Sequence, residues 1–399
     1  MSFARGARIN RPAVLASFLV LAVFALVAGG IYGLLTSRAP IVVWDFHPSW
    51  LGLRAMLRDG IDPYGEEATQ LIQSQILGRA AVPGENQNAF AYPLHILVII
   101  GPLALLPLAA AQAIWLSLLV LSLLIVSLAG SCAVGWRPPA WLLALTVLFT
   151  LGLYQDVWAL ILGQVSLVVA AFIALAWWSV RTAHWRAAGM CLALSTIKPQ
   201  MTFLLVPALL AWAVYERRWK LVLAFAVTMG ALVLLPALWL PNWPIEWLAA
   251  LGQYAGYTSF DPLLVLLVRS PMLAWLIALT LMAGVTWRWW RAADRGGDAL
   301  DWALAAAIVI STLIAPRTTQ ANQAVLLLPL FVVFARLPKH GLAAMVEVGL
   351  LAGLWWLDAS FAPELNTPEH SLWQHQVISP ILPLALTLAL MLIQPRSQV

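Results

Sequence analysis

The sequence predicts an all-α polytopic membrane protein, and three features predict it. Of 399 residues, 62% are hydrophobic and only 10% charged, with a mean hydropathy of +0.88. Soluble domains run near half apolar and a quarter charged, and a single soluble core could not hide this much apolar surface. Second, several windows of about 16–23 residues carry no charge, the length of a transmembrane helix. Third, the basic residues behind the net charge of +5 gather in short loops between those windows. That is the positive-inside pattern, so the charge reads as orientation, and no nucleic-acid partner is expected. Many of the 22 Trp lie near span ends, as an interfacial aromatic belt would.

The first element is an uncharged run at 13–35 behind Arg5, Arg8, Arg11 and Pro12. It is too long for a signal-peptide core and is expected to stay as the first span. The basic flank puts the N-terminus in the cytoplasm and residues 36–93 outside.

That loop is the only long segment that is neither strongly apolar nor short. It carries the acids Asp45, Asp59, Asp62, Glu66, Glu67 and Glu85. Trp50, Leu51, Leu53, Met56 and Leu57 recur at helical spacing opposite Arg54, Arg58 and Asp59, which predicts an amphipathic helix on the membrane surface. Residues 60–65 read as a turn, and a second helix is predicted over 66–77. A long loop with helices of its own is usually functional.

Residues 93–107 are short and broken by Pro102 and Pro107. If they crossed the membrane, every later basic loop would face outside. A re-entrant dip puts all of those loops in the cytoplasm and is preferred; such backbone is tolerated where protein or a wet cavity covers it. Further spans are predicted near 111–130, 140–155, 162–180, 186–198, 200–215, 221–240, 272–291, 301–316, 321–336, 342–358 and 377–394. With the first this makes about twelve transmembrane helices, both termini cytoplasmic, in one integral membrane domain spanning 1–399. No element is predicted between 241 and 271.

On this topology the extracytoplasmic ends collect the unusual polar residues: Asp45, Asp62 and Tyr64, then Gln155, Asp156 and Gln164, then Lys198 and Gln200, then Arg317, Asn322 and Gln323. The cytoplasmic loops hold no such mixture, so a site on the outer face is expected. Lys198 sits between two uncharged spans, where burying an ammonium costs about 2.5–3.5 kcal/mol unless it finds a partner or water. A lipid phosphate is one partner; snorkelling to the interface is the other reading. Arg317 follows Pro316 and is either a bidentate phosphate ligand or an interfacial anchor. Asp45, between Trp44 and Phe46, is either an active acid or a solvated one at a helix end. Asp156 is the runner-up acid, or a carboxylate in a loop or at a helix terminus. Asp62-Pro63-Tyr64 reads as a turn in which Tyr64 could stack on a sugar.

Cys132 and Cys191 read as small core residues, with no CxxC pair and hence neither a disulfide framework nor a zinc site. The histidines, His47 among them, show no metal spacing. His370 and His375 are expected on the surface of the last outer loop. No phosphate-binding or dinucleotide glycine fingerprint exists, which argues against cytoplasmic nucleotide-sugar chemistry. No cofactor or metal is expected.

Taken in order, Trp44-Asp45-Phe46, Asp62-Pro63-Tyr64, Tyr92-Pro93, Gly163-Gln164 and Lys198-Pro199 resemble the GT-C membrane glycosyltransferases, and within them glycosyltransferase family 87, the polyprenyl-phosphate-mannose-dependent group. The likeness runs from the first span to about residue 330. The resemblance implies a GT-C-like architecture with two surface helices in the first outer loop. It implies a polyprenyl-phosphate-sugar donor, usually mannose, transferred with inversion to a lipid or glycan acceptor outside a bacterial-type plasma membrane. Asp45 then matches the general base, and Lys198 would sit near the donor phosphate. Beside the resemblance, Arg317 is read as a second donor-phosphate cation, and Tyr64, Tyr92, Gln164, Gln200 and Asn322 as substrate-binding residues. Asn322 stands near a position where members often carry His or Asp. A secondary transporter or lipid flippase using Lys198, Arg317 and Asp156 as its path is the principal alternative; a non-enzymatic scaffold is a further one. Against transport stand the long first loop and the lack of an inverted repeat.

Overall fold

The computed structural model describes residues 28–32, 44–82, 85–258, 261–291, 296–316, 318–361 and 373–393. Nearly all of the predicted first span, and Arg317 and His370, fall outside these residues. Among the described residues the regular structure is helical throughout.

Among the described residues, six helices are long and apolar enough to cross a membrane: Leu108–Ala133, Trp219–Leu238, Pro271–Trp290, Gly297–Ile314, His340–Ser360 and Gln374–Leu392. A seventh span is available if Ala140–Gly152 and Tyr154–Leu162, bent by 50° at Leu153, are taken together. The protein is a polytopic integral membrane protein. The expected count of about twelve is not reached by length, for a physical reason. The apolar helices Leu94–Ala104, Ser166–Arg181, Leu205–Tyr215 and Gln320–Phe334 are short, and each has an end at or beside the cavity described below. Broken helices persist in a membrane protein where their freed backbone groups meet protein or water instead of lipid.

The two helices predicted in the first outer loop form, at Phe46–Asp59 and Glu66–Leu77. The turn between them is an Asx turn in which the Tyr64 backbone N–H donates to Asp62 Oδ1 at 2.9 Å. The expectation that the first helix lies on lipid is corrected. Its Trp50, Leu51, Leu53 and Met56 are buried in protein, and the helix packs along Leu97–Ala104. The reason lies in the carbonyls at the end of that partner, which the helix leaves short of donors. Trp50 Nε1 donates to Leu103 O at 3.0 Å, Arg54 to Ala104 O and Leu106 O at 2.9 and 3.1 Å, and Arg58 to Leu105 O at 3.0 Å. Two guanidinium groups therefore cap the negative end of the helix dipole.

The same contacts bear on residues 93–107. Leu94–Ala104 rises only about 17 Å, about half of a hydrocarbon core of roughly 30 Å. Phe90, just before it, packs its ring on Gly52, so both ends of the segment stay against the Phe46–Asp59 helix.

The core of the bundle is Ser166–Arg181, flanked by Trp185–Leu194 and Leu108–Ile125. Trp185–Leu194 and Trp219–Leu234 approach so closely at Gly189 that an added Cβ would lie 2.3 Å from Leu221 O and 2.7 Å from Phe225 N. Small residues at such crossings let backbones meet. Gly189→Leu is expected to force the pair apart and destabilise the protein by about 1–3 kcal/mol or more, read as a lower melting temperature in detergent. A variant that melts with wild type would contradict this packing.

Two elements lie where the sequence predicts none. Trp243–Tyr257 is a helix, with Pro244 in its first turn where the missing N–H costs nothing. Leu263–Val268 follows it.

Candidate active site

A cavity of about 1290 Å³ opens among these elements. Asp45, Tyr92, Gln164, Lys198, Gln200 and Asn322 all line it, together with Trp158, Trp247, Tyr254, Trp275 and His375. Leu251 and Trp275 are in its wall yet are 41% and 53% exposed.

Each polar group is delivered by a break in a helix. Tyr154–Leu162 ends at Gly163, whose φ of +67° is the left-handed conformation that suits glycine. Its carbonyl is held by Trp115 Nε1 at 2.9 Å, and the next residue, Gln164, enters the cavity. Lys198 stands between the Ser195–Ile197 turn and Pro199–Thr202 with φ −123° and ψ 80°. Pro199 excludes the helical conformation from the residue before it, so the chain must open there. Asp45 is at the N-cap of Phe46–Asp59. Its backbone N–H donates to Leu162 O at 2.9 Å. Phe46 is buried, stacked on Trp115 with ring centroids 5.2 Å apart, while Trp44 on its other side is exposed.

The three side chains meet. Gln164 Nε2 donates to Asp45 Oδ2, and Lys198 Nζ donates to Gln164 Oε1. One amide thus bridges a carboxylate and an ammonium, and both of its ends are satisfied. Lys198 is 3% exposed and does not snorkel to an interface; its Nζ lies 6.0 Å from the centre of the Tyr92 ring. Its desolvation is offset by the Gln164 oxygen, the Tyr92 face and the nearby Asp45 carboxylate.

Burial pushes the Asp45 carboxyl above the usual carboxylate range, against the opposing pull of the Lys198 charge and the Gln164 hydrogen bond. A carboxylate that must be ionised to accept a proton loses function as pH falls through its pKa. If Asp45 is that base, the acid limb of the pH–rate profile sits higher than an ordinary aspartate would place it. Gln164→Leu removes a stabilising hydrogen bond and is expected to move that limb to still higher pH. A limb that stays in place in this variant, measured as kcat/KM against pH, would argue against Asp45 as the titrating group.

Other expected site residues are placed differently. Tyr64 does not line the cavity. Its hydroxyl donates to Tyr92 O at 2.8 Å and its ring meets Phe90 edge-on at 5.3 Å, so it holds the backbone that presents Tyr92. Asp156 is fully buried on Tyr154–Leu162, with no hydrogen-bond partner on either oxygen, and is not in the cavity wall. It stands in the first turn of that helix, the helix-terminus position of its second reading. His47 is buried against Trp50, and burial lowers its pKa, so it is neutral and no cation for Asp45. His375 is 3% exposed and lines the cavity, which corrects its expected surface position. Among the described residues, no group of three or more His, Cys, Asp or Glu could hold a metal ion. The wall formed by Trp247, Leu251 and Tyr254 comes from the unforeseen Trp243–Tyr257 helix. Trp247 Nε1 ties that helix to Ala91 O at 3.2 Å, beside Tyr92.

A helical membrane protein with a large, mostly apolar cavity that carries polar groups at the breaks of its helices suits a substrate partly embedded in lipid. The model of glycosyltransferase family 87 matches residues 90–316, more than half of the chain. The chain belongs to that family and is a glycosyltransferase. The matched stretch includes Tyr92, Gln164, Lys198 and Gln200, whereas Asp45, Tyr64 and Asn322 lie outside it. No curated protein and no solved structure matches the chain.

Proposed function

We propose that the protein transfers a sugar, mannose in the first instance, from a polyprenyl-phosphate carrier to an acceptor hydroxyl on the extracytoplasmic side. The observation that carries this reading is the bridge Asp45–Gln164–Lys198 inside one cavity. Asp45 takes the proton of the acceptor hydroxyl. The freed oxygen attacks the anomeric carbon, the bond from that carbon to the phosphate oxygen breaks, and polyprenyl phosphate leaves. One displacement from the opposite face inverts the anomeric carbon. The leaving group is charged at neutral pH, so no general acid is needed. The base must lie within hydrogen-bond reach of the acceptor, and a cation must meet the charge that builds on the phosphate. Lys198 supplies that cation, with Arg317 as a second. The exposed apolar wall residues Leu251 and Trp275 suit a donor whose polyprenyl chain remains in the bilayer.

Family membership favours transfer over the transporter reading. The test incubates membranes containing the protein with radiolabelled polyprenyl-phosphate-mannose. Label is expected to pass into a membrane glycolipid or glycan with inverted configuration. Transfer no greater than in membranes lacking the protein would refute the reading.

A further inference from the structure

Four residues of the cavity wall take no part in the chemistry above: Asp261, Gln320, Gln374 and His375. They come from three places, the stretch before Leu263–Val268, the Gln320–Leu326 3-10 helix and the Gln374–Ile378 π-helical turn. A π-helical turn re-aims the side chains it carries and occurs mostly at functional sites.

The two amides are fixed from behind. Gln320 Nε2 donates to Gln374 Oε1 at 3.1 Å, and Ser379 Oγ donates to Gln320 Oε1 at 3.2 Å. Gln374 Nε2 reaches Asp358 Oδ1 at 3.5 Å, and that oxygen accepts from the Tyr154 hydroxyl at 2.9 Å. A buried chain of side chains from separate helices thus orders these groups before any ligand arrives, which is the condition for selective binding. His375 is buried beside them, within electrostatic reach of Asp261.

The chemistry of the cluster separates it from the phosphate end. Among the described residues lining the cavity, Lys198 is the sole Lys or Arg. A phosphate would be repelled by Asp261. A neutral sugar ring would not: carboxylate and amide oxygens accept from hydroxyls, and imidazole and amide nitrogens can donate to them. Trp247 and Tyr254, in the same wall, are aromatic rings of the kind on which the C–H side of a sugar stacks.

We infer that Asp261, Gln320, Gln374 and His375 form the acceptor subsite, and that they recognise the ring hydroxyls of a neutral glycoside. The inference rests on the transferase reading. Its test uses the full-length protein with labelled polyprenyl-phosphate-mannose as donor and octyl mannoside, octyl glucoside and octyl galactoside as acceptors. Wild type is expected to glycosylate at least one of the three with saturation. Asp261→Asn and His375→Gln should each raise the KM of that acceptor tenfold or more while donor KM moves less than twofold. Asp261 is exposed at the cavity, so its variant keeps the test valid if His375→Gln misfolds. A smaller rise in acceptor KM, or a matching rise in donor KM, overturns the assignment. So does label passing only to water. If wild type labels none of the three glycosides while membranes containing it still take up label, the subsite assignment is overturned and the transferase reading stands; if the membranes take up no label either, both fail.

Discussion

Asp45→Asn is expected to lower turnover by about 10²–10⁴-fold, the usual effect of removing a positioned general base. The substitution keeps size and shape. The amide oxygen of Asn can still accept from Gln164, and the backbone bond to Leu162 O does not involve the side chain. Phe46 remains seated on Trp115. Folding and donor binding should therefore survive, and the loss should fall on kcat with donor KM within a few-fold of wild type. The measurement is transfer of radiolabelled sugar by purified protein at saturating donor. Turnover near wild type would remove Asp45 from the mechanism, and the acid limb of the pH profile would then need another owner.

Lys198→Met removes the charge and keeps most of the side-chain volume. Loss of a preorganised group that stabilises developing charge costs about 10²–10³-fold in rate, and kcat/KM for the donor should fall by that order. A second, independent consequence concerns Asp45. The Lys198 charge pulls the Asp45 pKa down; without it the carboxyl binds its proton more tightly. More of the protein is then inactive at a given acidic pH, so residual activity should show an acid limb at higher pH than wild type. A fall in rate with no movement of that limb would mean that the two residues act apart. Unchanged donor kinetics would mean that the phosphate lies elsewhere.

Much of this site could be read from the sequence wherever local chemistry forces the backbone. Lys198 before Pro199 announces a break, Gly163 announces a helix end, and the spacing from Trp50 to Leu57 announces a helix. Each follows from sterics or periodicity within a few residues. What joins these points is not local. Gln164 meets Asp45 across 119 positions and Lys198 across 34, and nothing in the intervening sequence encodes that meeting. The apolar face of the Phe46–Asp59 helix suits lipid and protein equally well; the carbonyls at 104–106, which take donors from Arg54 and Arg58, decide for protein. His375 looked like a loop residue because the polar run before it hides a helix start, and the π-helical turn has no sequence signature. Trp243–Tyr257 was missed although Asn242 and Pro244 mark its beginning. Asp156 illustrates the reverse case: its type suggested chemistry, but its place on the helix takes it away from the cavity wall.

The most direct test is a structure of the Asp45→Asn protein with a polyprenyl-phosphate-mannose donor bound. The transferase mechanism requires the phosphate within hydrogen-bond reach of Lys198 Nζ, about 2.7–3.2 Å, and the anomeric carbon facing a space beside residue 45 large enough for an acceptor hydroxyl. A donor phosphate seated away from Lys198, or a sugar held where no acceptor oxygen could touch both residue 45 and the anomeric carbon, would contradict it.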